Sequence, residues 1–178
     1  MPLSAPTIAR VCRCPLAAVE GNWPRICEAL EGVGIRTDLV EVAAAATVAI
    51  ETARTFRPIN EFGGSDYFTE HYEGRTNLGN CKPGDGARYH GRGYVQITGR
   101  ANYRAMSHVA GCDLEESPEK ALDPEVSARI LASFFATRRV AEAANVPDWI
   151  KVRLRVNGGL NGWKDFKACV DGLLQEVS

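Results

Sequence analysis

The chain has 178 residues, 45% of them hydrophobic, which suits one compact domain with a sizeable core. Lys plus Arg number 21 against 22 for Asp plus Glu, so the formal net charge of -1 offers no general attraction to nucleic acid or to an anionic membrane. The longest apolar stretch, around Val42 to Ile50, is mostly alanine and runs into a glutamate, so no membrane insertion is expected.

Taken in chain order, "MPLSAPTIARVCRCPLAAV" lacks a basic start followed by an unbroken apolar run and does not read as a secretory signal. Residues 1 to about 37 are expected to form an N-terminal helical region of the same single domain, 1–178. Within it "AAVEGNWPRICEAL" predicts a helix interrupted near Gly21 to Pro24. Asp38 followed by Glu41 has capping-box spacing, and the alanine-rich run after it predicts a long central helix that Pro58 stops. Its lack of charge from Val42 to Ile50 implies burial on most sides.

"SDYFTEHYEG" predicts a short helix capped by Ser65 and closed by Gly74, followed by glycine-broken, irregular backbone. Within that stretch "YVQIT" alternates as a half-buried strand would, sending Tyr94, Gln96 and Thr98 to one face. "RANYRAMSHVA" reads as a helix after Gly99. "LDPEVSARILASFFATRRVAEAA" reads as a stronger one, capped by Asp123 with Pro124 at its first position. "PDWIKVRLRV", the turn "NGGLNG" and a closing helical "WKDFKACVDGLLQEV" complete a mainly α chain with one small sheet and no internal repeat.

Two glutamates have environments suited to chemistry. Glu51 stands near the C-terminal end of an apolar helix, where desolvation and the negative helix end both disfavour the carboxylate and favour a protonated general acid. Glu73 has His71, Arg75 and further arginines near it in sequence, and positive charge there keeps a general base ionised. Two carboxyls driven apart in this way are the working pair of a glycosidase. The plainer alternatives are a helix glutamate facing water and a routine helix-end residue. Gln96, Thr98 and Tyr94 together would offer an amide, a hydroxyl and a ring to a sugar.

Other chemistries lack their motifs. "GRGYVQITG" has neither dinucleotide spacing nor a following "GK[ST]", and His71, His90 and His108 are not spaced as ligands, so no cofactor and no metal are expected. Cys12, Cys14, Cys27, Cys81, Cys112 and Cys169 are widely spread in a chain large enough to fold without staples, which favours mostly free thiols.

"YHGRGYVQITGRANY" resembles the central signature of glycoside hydrolase family 19, the chitinase-like enzymes. An "ET" at the end of a long helix, then "YEGR", then this segment, then "VNGGLNG", follow the family's order. The stretch from "FRPINEFGGSDYF" to "GRG" is most like the glycosidase domains of phage endolysins, those of mycobacteriophages included. The resemblance implies a lysozyme-like, two-lobed, α-rich fold with a small β element and a substrate cleft. It implies Glu51 as general acid, Glu73 as general base and Thr98 as a partner of the attacking water. It places Gln96, Asn102 and Asn157 among substrate-contacting positions and Tyr89 and Tyr94 in the cleft. Ile50 and "TART" flank Glu51 where many relatives carry His before the acid and Gly soon after it.

The activity implied is inverting hydrolysis of β-1,4 bonds in the N-acetylated glycan of peptidoglycan, by a monomer. Chitin as substrate, a non-hydrolysing glycan-binding module and a lytic transglycosylase are the alternatives. Kinship with wall lysins further implies synthesis in a host bacterium without a signal peptide and arrival at the wall through a holin-type lesion.

Overall fold

The computed structural model describes residues 3–177, among which lie ten α-helices, two short 3-10 helices and a two-stranded sheet. The chain divides into two units. One takes the residues up to Arg57 and those from Leu131 onward, and the other is Pro58–Ile130. The mainly α class and the small sheet agree with the expectation from sequence.

In the first unit, α1 (Ala5–Cys12) starts at Ser4, whose hydroxyl accepts the Thr7 N–H, and stops at Arg13 in the left-handed region. Its existence was not resolved within the expected N-terminal helical region. The next helix corrects an expected break, because α2 (Leu16–Gly32) runs straight through Gly21 and Pro24. Proline forfeits one backbone bond, but Ala18, Val19, Trp23, Ile26, Cys27 and Leu30 are buried along the helix, and that packing outweighs the loss. The side chains of Asn22 and Arg25 donate to the carbonyls of Ala18 and Gly21, one turn back.

α3 (Asp38–Glu51) is the buried central helix, with every residue from Val40 to Ala49 inside. Both of its ends differ from expectation. Thr37, not Asp38, is the cap, accepting the Val40 N–H at 3.2 Å. Glu41 does not return to the cap; its carboxylate accepts the Leu3 N–H and the Arg36 Nε–H instead. The helix ends at Glu51, seven residues before Pro58, because Ala53, Arg54 and Phe56 turn left-handed. Thr52 locks that reversal: its hydroxyl donates to Val48 O at 2.6 Å and accepts Phe56 N–H at 3.1 Å. Phe56 is thereby driven inward against Trp23, with ring centroids 6.4 Å apart.

The long helix expected after Asp123 is two helices. α7 (Pro124–Thr137) carries the predicted cap, Asp123 Oδ1 accepting the N–H groups of Glu125 and Val126. A left-handed Arg139 then separates it from α8 (Val140–Asn145). The break lets Val140, Ala141, Ala143 and Ala144 face inward in a new direction. α9 (Trp149–Asn157) is capped by Asp148 and closed by Gly158, and α10 (Trp163–Val177) lies against α1 and α3.

In the second unit, β1 (Ile59–Asn60) pairs antiparallel with β2 (Arg92–Gly93), Ile59 opposite Gly93. α4 (Ser65–Tyr72) begins after Gly64, so Ser65 is its first residue and gives no side-chain cap. "YVQIT" is not a strand. After β2 the chain reverses with Gln96 at φ 51°, and Ile97 returns to Arg92 through paired backbone bonds. The alternation therefore places no common face, and Tyr94 is fully buried. α5 (Asp85–Arg88) and α6 (Arg100–Ala110), the latter starting after Gly99 as expected, lie in this unit with the start of α7 up to Ile130.

A charged network ties α5 to α6. Asp85, 1% exposed, receives Arg100 through both carboxylate oxygens and the backbone N–H groups of Cys81 and Lys82. Arg100 also reaches Glu115, which Arg104 grips from the other side at 2.6 Å. The bonds from Arg104 and Arg100 hold Glu115 down to about 2, and Arg100 holds Asp85 below the usual carboxylate range. A folded-state value below the unfolded one adds stability that is present above the unfolded value and is lost as pH falls through the folded one. The urea midpoint is therefore expected to fall between about pH 4.5 and pH 2. In Glu115→Gln the loss over this window should be shallower; an unchanged slope would remove Glu115 from the acid response.

Candidate active site

The first carboxyl is set by the end of α3. Glu51 is its last residue, half-buried, and its Oε1 accepts Nη1–H of Arg153 at 2.5 Å. Arg153 is only 2% exposed, and its Nε and Nη2 both donate to the carbonyl of Asn161. This corrects the apolar surroundings expected for Glu51: the hollow beside it holds a guanidinium. Sequence reasoning missed Arg153. The signal was its register, since Trp149, Val152 and Arg153 share the buried stripe of α9, where a cation demands a partner.

The "NGGLNG" turn closes over this pair. Gly162 has φ 70°, and a Cβ there would meet Ile50 Cγ2 at 3.2 Å and Arg153 Nη2 at 3.3 Å. The positive φ favours glycine, and the contacts leave a Cβ little room. Asn157, at the C-terminal end of α9, is half-buried beside this turn in sequence.

The second carboxyl is held differently. Glu73 caps the C-terminal end of α4, and its two oxygens accept the backbone N–H groups of Gly84 at 2.6 Å and Gly86 at 2.7 Å. The arginines expected around it are not its partners among the described residues; backbone N–H groups at the start of α5 fix it instead. The grip requires Gly86, where a Cβ would lie 2.7 Å from Glu73 N and 2.9 Å from both Glu73 Oε2 and Phe68 O.

In the same unit Gln96, Thr98 and Asn102 lie in one hydrogen-bonded series. Thr98 Oγ1 donates to Gln96 O at 3.0 Å, and Asn102 Nδ2 donates to Thr98 O at 2.7 Å. The Gln96 amide donates to Ile59 O and Gly93 O, which fixes the side chain against β1 and β2. All three are half-buried. Tyr89 and Tyr94 are placed otherwise than expected. Their rings are 1% and 0% exposed and offer no open face to a sugar. Tyr89 donates its hydroxyl to Glu115 O and takes the Arg100 guanidinium on its ring at 4.8 Å.

Sequence reasoning also passed over Glu61. Its oxygens accept Tyr72 O–H at 2.6 Å and Gly91 N–H at 3.0 Å, next to the amide of Gln96. Burial and the bond to Glu61 push the Tyr72 hydroxyl up. Among the described residues no group of three or more His, Cys, Asp or Glu is placed to hold a metal ion.

No family model matches the chain. Over 91 residues, 51% of its length, it is 38% identical to a glycosyl hydrolase family 19 domain-containing protein of Haemophilus influenzae. The matched part is 44% of that curated relative, so the chain spans less than half of its length. Among solved structures, chitinase C from Streptomyces griseus HUT6037 superposes with a TM-score of 0.70 at 20% identity, over 97% of this chain and 74% of that one. A glutamate-to-glutamine mutant of chitinase C gives a TM-score of 0.70 at 18% identity with the same coverage. At these identities the likeness speaks for the fold.

Proposed function

We propose that this chain is one of the chitinase-like proteins of glycoside hydrolase family 19 and hydrolyses β-1,4 bonds of an N-acetylated glycan with inversion. In this reading Glu51 protonates the departing oxygen and Glu73 draws a proton from water that Thr98 helps to orient. The observation that carries it is the separate immobilisation of the two carboxyls, one on a buried guanidinium and one on two backbone N–H groups. A general acid and a general base must each be held in one orientation to act on a bound sugar. Glu73 keeps lone pairs free after accepting two N–H groups, as a base for water requires.

For substrate we favour bacterial peptidoglycan, with the chain acting as an endolysin-type catalytic domain. The support is the run from Phe56 to Gly93, which resembles phage lysins. The likeness of fold to chitinase C favours chitin as the second reading. Gln96, Asn102 and Asn157 serve as glycan contacts in both. In the wall setting the protein works as a monomer and meets its substrate through a holin-type lesion.

The test is a parallel digestion of purified peptidoglycan and chitin oligomers, with fragments read by mass spectrometry and fresh ends by NMR. Hydrolysed peptidoglycan with α-configured new ends is the expected result. Cleavage of chitin alone would establish the second reading. Fragments lighter by one water would mean a transglycosylase, and intact substrates in both arms would leave only glycan binding.

A further inference from the structure

A recess of about 790 Å³ lies wholly within the second unit, between the turn into α5 and the loop that follows α6. Its volume is that of a small-molecule site, ~300–1,000 Å³. Such sites are mostly apolar, whereas this one is walled by charge, and a charged guest suits it better. Three of its charged residues, Asp85, Arg100 and Glu115, are committed to one another. Four more are not. Lys82, Arg88, Asp113 and Glu116 line the recess, and none of them has a partner of opposite charge within 4.0 Å among the described residues.

The walls that carry these charges are fixed. Arg88 Nη2 donates to Glu116 O at 2.6 Å and to Glu115 O at 3.3 Å, and its Nε donates to the Tyr89 hydroxyl at 3.2 Å. These acceptors hold the guanidinium in place without neutralising it. Asp113 Oδ1 accepts the N–H groups of Glu115 at 2.9 Å and Glu116 at 3.0 Å, and the backbone of Lys82 is pinned by Asp85 at 3.0 Å. Groups already held in place lose little freedom when a ligand arrives.

Two cations and two carboxylates left over in one recess match a guest that carries both signs. A plain polyanion would meet Asp113 and Glu116, and a fully N-acetylated sugar chain has no charge to offer. The peptide that hangs from the glycan of a bacterial wall has both: carboxylates along its length and, where its diamino acid is not cross-linked, an ammonium. We propose, resting on the reading of peptidoglycan as substrate, that this recess binds the peptide stem, its carboxylates on Lys82 and Arg88 and its ammonium on Asp113 and Glu116. Charge pairing of this kind selects between partners more than it adds raw affinity, and here it separates a peptide-bearing strand from bare chitin. Gly84 lines the recess and donates its N–H to Glu73, so a bound stem stands beside the backbone that grips the proposed base.

The experiment titrates the full, isotope-labelled chain with the free tripeptide L-alanyl-γ-D-glutamyl-diaminopimelate and, separately, with N-acetylglucosamine oligomers, reading backbone N–H signals by NMR. The tripeptide is expected to move the signals of residues 82–88 and 113–116, to saturate with a Kd of about 1 mM or below, and to bind more weakly as salt is raised. Lys82→Ala/Glu116→Ala should weaken it about tenfold and remove the parent protein's preference, read as KM, for intact strands over strands stripped of peptide by an amidase. Silence in both segments, the same shifts with the sugar oligomers, or tripeptide binding that the double substitution leaves untouched would overturn the proposal. The titration of the unmutated protein decides this even if the variant folds poorly. Failure of the substrate reading looks different: a protein that takes the tripeptide in this recess yet leaves peptidoglycan uncut has the site without the activity.

Discussion

Glu51→Gln is expected to lower glycan turnover by about 10²- to 10⁴-fold, the usual contribution of a general acid, while the protein stays folded. The amide keeps the shape of the carboxyl, and its oxygen can accept the Arg153 Nη1–H that Glu51 Oε1 accepts now. What it lacks is a proton to hand over. Arg153 retains the Asn161 carbonyl, so the buried guanidinium keeps two of its bonds and the cost to stability is partial. Circular dichroism and turnover, both measured well below the melting temperature, separate chemistry from folding. Turnover within a few-fold of the parent protein would remove Glu51 from the reaction. Glu73→Gln is a less clean probe. Both Glu73 oxygens accept backbone N–H groups, so one end of the amide would turn its own N–H toward the N–H of Gly84 or Gly86.

Asp85→Ala is expected to cost about 3–5 kcal/mol, the range for removing one partner of a buried ion pair. Asp85 receives four donors, from Arg100 Nε and Nη2 and from the backbone of Cys81 and Lys82. Alanine leaves two loop N–H groups without their acceptor and a largely buried guanidinium with only Glu115. The loop from Cys81 to Gly84 leads into the N–H groups that hold Glu73, so turnover should fall together with the urea midpoint. Asp85→Ala/Arg100→Met, which removes both charges, should recover part of the lost stability. A single-variant loss under about 1 kcal/mol, too small for a buried pair, would show that the network is solvated.

Much of the helical framework was legible because its signals are local. Asp123 with Pro124 and Gly99 before Arg100 act within one turn and mark helix starts where they occur. The misreadings share a cause: packing or a particular turn outweighed the preference the pattern suggested. Pro24 is carried through α2 by a buried face, and α3 stops at Glu51 because Thr52 and Phe56 fold back onto earlier residues. "YVQIT" alternates, yet Ile97 finds its bonds on Arg92 within a tight turn.

The candidate site was legible as residue types more than as surroundings. Thr98, Gln96 and Asn102 fall into one hydrogen-bonded series within a single unit. The environment of each glutamate was misjudged, since what is near in sequence, apolar residues for Glu51 and charges for Glu73, was taken as near in space. Glu73 rests on glycine N–H groups 11 and 13 positions away, and the guanidinium beside Glu51 comes from 102 positions along the chain. No local window contains such contacts.

The anchoring of Gln96 fixes the polarity of what it can recognise. Both hydrogens of its amide are committed to main-chain oxygens, and its remaining oxygen has no donor among the described residues. Any guest that pairs with this oxygen has to bring the hydrogen itself, as an acetamido N–H or a sugar hydroxyl does and a bare ether oxygen does not.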